Sequence, residues 1–166
     1  MTRVFAFGPR ESKIGDSKSW VQIELARCMH RLRQRHGDAL AMVSLTPGVG
    51  SWWFDHAQKF NVPIDSWAVH VDMGLHWANG TRVRFNNMIK DSESFRVAYP
   101  REDKLEPWMH LGHFREMAQE ANVTVAVWDG DRDNFVADIL DHTNRQFYWI
   151  DFKQRQVKWC PDGYEG

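Results

Sequence analysis

The chain is short of cysteine: it has two, Cys28 and Cys160, far apart and in no CxxC arrangement. That excludes a disulfide framework and a four-thiolate zinc site. Reduced, structural cysteines fit a cytoplasmic protein. It also has no apolar run near the roughly 18 residues that span a bilayer. The opening MTRVFAFGPRESK lacks the charged-then-apolar layout of a secretory leader, so neither membrane nor export is expected. Net charge is lacking too. The 21 basic and 22 acidic side chains give −1, too little field to wrap extended nucleic acid. No GxSxG elbow and no Walker loop occurs, which removes the usual motifs for triad hydrolysis and P-loop chemistry.

What is there is an ordinary globular mixture. Hydrophobic residues make up 43% and charged ones 26% of 166 residues, enough for the core of a single domain over residues 1–166. The nine tryptophans are unusual. Most tryptophans fill cores, but an indole can also stack on a planar ligand such as a base.

Along the chain, short apolar runs alternate with helical periodicity. Strands are expected at residues 3–7, 39–44, 66–71, 123–128 and 147–152, with a short extra strand at 95–99. Helices are expected at about 17–36, 52–60, 81–90, 108–121 and 134–142. In the first of these, Val21, Leu25, Cys28, Met29 and Leu32 form one apolar stripe. Continuous rather than alternating apolar strands suit a parallel sheet covered on both faces. The expected fold is therefore α/β, a Rossmann-like three-layer αβα sandwich with a mainly parallel sheet of about five strands. Residues from about 155 to 166 form a short tail.

In such sheets the ligand lies beyond the carboxyl ends of the strands, near the switch in strand order. That rule selects Gly8 and Arg10 after the first strand, residues 46–51 (TPGVGS) after the second, and Asp129 and Gly130 after the 123–128 strand. Gly48 and Gly50 let the backbone approach a ligand closely. Ser51 is placed to cap a helix opening at Trp52, where free N–H groups and the helix dipole favour an anion. Arg10 can grip phosphate or carboxylate in a bidentate way. Trp52, Trp53 and Trp128 are candidate stacking faces, and Thr46 a polar contact.

Other constellations are weaker. Residues 129–134 (DGDRDN) open like a calcium loop, but Asn134 and Leu140 stand where glycine and a bidentate glutamate belong, so they read as an acidic turn before a helix. His70, Asp72 and His76 could ligate a metal only if His76 folds back, and His110 and His113 lack a third ligand. Neither a metal nor a cofactor is expected. Asp72 and Asp129 are the candidate acid–base carboxylates if the protein is an enzyme.

The runs RVFAFGPR, VSLTPGVGSWWFDHA and LGHFREMAQEANVTVAVWDG together resemble the SLOG superfamily, most nearly its small YpsA-like and YspA-like members, from about residue 3 to 152. In that resemblance Gly8 and Arg10 match the glycine and basic residue after the first strand. Gly48 and Trp52 match the glycine-centred turn and the tryptophan of the following helix, and Asp129 and Gly130 match a strand-terminal aspartate–glycine pair. Gly50 stands where many relatives keep an acidic residue. Residues 131–134 (DRDN) replace the glycine–glycine–threonine phosphate loop. His113 and Phe114 replace an arginine–asparagine pair, with Arg115 nearby. The resemblance implies a nucleotide-type ligand and allows a homodimer. It does not carry over phosphoribohydrolase activity, whose phosphate loop and arginine–glutamate pair are not intact.

Three functions follow, in order. The first is binding, by sensing or sequestration, of a nucleotide or ADP-ribose-like metabolite. The second is a phage- or mobile-element-type inhibitor docking on a host or phage protein, since Trp and Arg are enriched at interface hot spots. The third is a hydrolase of N-glycosidic bonds in nucleotide derivatives.

Overall fold

The computed structural model describes residues 1–74, 77–102, 104–143 and 146–163. Seven strands form one sheet: β1 (Thr2–Phe7), β2 (Ala39–Ser44), β3 (Ile64–Ala68), β4 (Ser94–Val97), β5 (Val123–Trp128), β6 (Phe147–Asp151) and β7 (Gln156–Cys160). Their order is β4-β3-β2-β1-β5-β6-β7, parallel throughout except for the antiparallel β6–β7 pair. The helices are α1 (Glu11–Ile14), α2 (Lys18–Arg35), α3 (Val49–Lys59), α4 (Asn79–Lys90), α5 (Pro107–Glu120) and α6 (Phe135–Thr143), with a 3-10 turn at Gly15–Ser17.

Each central strand buries both faces, and alternate side chains feed two separate cores. Val4 and Ala6 of β1 point into a core shared with Val21, Leu25, Met29 and Leu32 of α2 and Trp53 and Ala57 of α3. Phe5 and Phe7 point the other way, against Met117 and Ala118 of α5 and Val136, Ile139 and Leu140 of α6. This is the three-layer Rossmann-like arrangement expected of continuous apolar strands.

The sheet is wider than the expected five strands. β4, the short extra strand expected at 95–99, forms one edge with three of its four residues exposed, and β7, in the stretch expected to be a tail, adds the other. The tail therefore packs back: Trp159 lies over Tyr148 at a ring separation of 4.5 Å, and Val157 pairs with Ile150. β3 begins and ends two to three residues earlier than expected, which leaves His70 in the loop beyond it. Among the described residues no helix is long and apolar enough to cross a membrane.

The chain builds β1 to β4 outward on one side of β1, then crosses back to place β5 on the other side. The switch in strand order therefore falls between β1 and β5, flanked by the loops carrying Arg10 and Asp129.

Candidate functional site

The loop after β2 is where the sequence expectation and the fold meet. Helix α3 starts at Val49, earlier than the sequence suggests, because Gly48 adopts φ +90° and turns the chain sharply into the helix. That backbone conformation strains any residue with a Cβ. Ser51 is consequently not the cap: it lies in the first turn, where its hydroxyl accepts from Arg84 Nη2 at 3.0 Å. Gly50 serves packing. A Cβ there would run into the Ser44 carbonyl oxygen and sit 3.1 Å from Thr46 Oγ1, so glycine is what lets α3 close onto the end of β2. Gly8 has a similar duty, since a Cβ on it would meet Val127 Cβ at 2.8 Å.

These residues form one wall of a cleft of about 190 Å³. Thr46, Gly48, Ser51 and Trp52 face Trp77, and Thr81, Arg84 and Phe85 of α4, across it. Trp77 and Phe85 meet edge to face at 5.5 Å, making an aromatic wall. The Arg84 guanidinium is held by Asp55, 2.9 Å from each carboxylate oxygen, and by Ser51. Its Nη1 has no partner among the described residues. Glu11 also lines the cleft, neutralised by Lys18, whose ammonium lies 5.9 Å from the Trp52 ring. The first-turn amides of α3 have no intrahelical partners, as at any helix start, and carry the positive end of the dipole.

A larger hollow of about 340 Å³ lies along the outer side of α3 and α4 and shares Arg84 and Met88. Asp55, Gln58, Asn87 and Asp91 line it, and none of the residues of the loop after β2 does. The smaller cleft is the stronger candidate because it joins the strand-end loop to the start of α3.

Arg10 stands exposed at the switch point, and among the described residues no carboxylate engages its side chain. It lies close enough to His110 for its charge to help hold that imidazole neutral, after burial as the larger cause. Asp129 and Gly130 are half-buried beyond β5. The Asp129 carboxylate accepts the Asp131 N–H, Asp131 accepts the Asp133 N–H, and Asn134 accepts the Val136 N–H at the start of α6. The acidic run is thus a chain of turns leading into a cap.

Other expectations change. Trp128 is fully buried: its indole donates to the Asp131 carbonyl at 2.9 Å and its ring packs on Trp149 at 5.0 Å, leaving no face for a ligand. Trp53 is likewise enclosed. Both rings belong to the core because they sit on the inward stripe of their elements. His70 spends both ring nitrogens on backbone: Nε2 donates to the Glu102 carbonyl at 2.7 Å, and Nδ1 accepts the Asp72 N–H at 3.0 Å. It has no lone pair left for a metal, and His76 lies outside the described residues. Asp72 and Asp129 follow strands three places apart, about 14 Å at ~4.8 Å per strand.

Sequence reasoning missed Trp77, Thr81, Arg84 and Phe85. The only signal was a cation and an aromatic side by side (Arg84, Phe85) on a helix following a strand-end loop.

No family model matches the chain, and no curated protein matches it.

Proposed function

We propose that this protein binds a nucleotide or ADP-ribose-like metabolite at the carboxyl ends of β1 and β2, as a sensor or a sequestering protein. The observation that carries this reading is the cleft itself. It combines an anion-favouring helix start, a guanidinium with donors to spare, and an aromatic wall of Trp77 and Phe85. Phosphate suits the first two, and a sugar or base suits the third. At about 190 Å³ the cleft is smaller than the roughly 300–1,000 Å³ of enclosed ligand sites, so it seats one end of the ligand. The other end lies toward Arg10 at the switch point. Kinship with the SLOG superfamily belongs to the same reading.

A thermal-shift screen against nucleotides, cyclic nucleotides, NAD and ADP-ribose tests it. A ligand at a hundred times its Kd adds about 2.7 kcal/mol of stability and raises Tm. The expected result is a hit that shrinks in both Arg84→Met and Arg10→Ala. A panel that leaves the wild-type Tm unmoved overturns the proposal.

A further inference from the structure

Behind the cleft lies a buried polar chain that the sequence did not announce. Ser44 ends β2 and is fully buried, as is His113 of α5. His113 Nδ1 lies 2.5 Å from the His110 carbonyl oxygen, and Nε2 lies 2.8 Å from Ser44 Oγ. Ser44 Oγ in turn lies 3.1 Å from Thr46 Oγ1, and Thr46 lines the cleft.

The direction of every hydrogen bond in this chain follows from its inner end. A carbonyl oxygen only accepts, so Nδ1 must carry the ring proton. Burial pushes the His113 pKa down to about 4, so at neutral pH the ring is uncharged and Nε2 bears a lone pair. Ser44 therefore donates to Nε2, and its single proton is spent. Thr46 must then donate to Ser44 Oγ. Its own proton points inward, and only lone pairs remain toward the cleft.

We infer that Ser44 and His113 are positioning residues that make Thr46 a one-way acceptor, so that Thr46 recognises a sugar hydroxyl of a ribosyl phosphate rather than its phosphate. This inference rests on the proposed nucleotide reading of the cleft and narrows it. A phosphate oxygen offers few protons above its second pKa of about 6, and so gains nothing from Thr46. It is left to the first-turn amides of α3 and to Arg84. A ribose hydroxyl next to that phosphate supplies the donor that Thr46 lacks.

Two measurements test this. The first is the nitrogen-15 NMR spectrum of the histidine rings at neutral pH. The expected result is a protonated Nδ1 and an unprotonated Nε2 on His113; a protonated Nε2 overturns the inference whatever the ligand does. The second is calorimetry with AMP and its 2′-deoxy and 3′-deoxy forms. Wild type is expected to prefer AMP over one deoxy form by about 3- to 10-fold, the worth of one neutral hydrogen bond. Thr46→Ser keeps that preference and Thr46→Val loses it. Ser44→Ala still binds AMP, and its preference is expected to fall below the wild-type value without vanishing, because the freed Thr46 hydroxyl can donate to phosphate as well as accept from ribose. AMP affinity unchanged in Thr46→Val, with wild type binding well, overturns the inference and leaves the nucleotide reading standing. Wild type that binds none of the three overturns both.

Discussion

Single residues separate what a ligand needs from what the fold needs. The sequence presents Gly48 and Gly50 as equals in one loop, yet only Gly48 is set by its own backbone angle, while Gly50 answers to the Ser44 carbonyl oxygen. Because that neighbour is backbone and cannot swing aside, Gly50→Ala is expected to cost at least about 2 kcal/mol in urea unfolding, near the upper part of the range for overpacked sites. A loss below about half that would mean α3 can lift off β2. A glycine in a sequence reports close approach but not by what, which is why the loop was legible and its division of labour was not. His113 makes a second expectation at this scale. Its folded pKa of about 4 lies below the ordinary 6.5, so between those values the unfolded chain takes up a proton that the fold refuses. Stability contributed by the neutral ring is present above pH 6.5 and lost as pH falls toward 4, by roughly 3 kcal/mol. Comparing the pH dependence of unfolding in wild type and His113→Asn isolates that slope; equal slopes would contradict the assignment.

Elements are more legible in the sequence than their edges. The apolar stripe of α2 and the uninterrupted runs of β2 and β5 identify a doubly covered sheet, because burial on both faces leaves a signature that needs no tertiary knowledge. β4 and β7 are harder, since an edge strand keeps polar and exposed residues: Glu93, Ser94 and Arg96 around one, Gln156 and Lys158 in the other. α4 is legible as a helix, but its part in the candidate site is not. Arg84 and Thr81 are surface residues in a helix with only Met88 buried, and nothing local says that the strand-end loop lies opposite. Arg84 is about half exposed, so Arg84→Met is expected to change stability by less than about 1 kcal/mol while weakening ligand binding. A collapse in Tm would instead make Arg84 a structural strut. β7 completes the sheet over β6, and Val157 and Trp159 cover Tyr148 and Ile150. Deleting residues 156–163 should therefore lower Tm and expose the β6 edge to association, visible by light scattering.

At the scale of the molecule, the strand order decides where binding can occur. Placing β5 beside β1 after building outward to β4 opens the loops of β1 and β5 apart, and the β2 loop with α3 forms the adjoining wall. The rule that ligands sit beyond the strand ends was available from the sequence. The sheet order was not, because it depends on pairings between residues more than a hundred positions apart, such as Val4 with Val123. The near-neutral balance of charge adds no steering field, so on the proposed reading affinity comes from local groups in the cleft. The most direct test of that claim is an amide NMR titration with AMP and with ADP-ribose. Saturable shifts are expected to concentrate on Thr46, Gly48, Val49, Gly50 and Ser51 and to extend to the Arg84 side chain and to Arg10. Saturable shifts confined to another face of the sheet, or none at millimolar ligand, would contradict it.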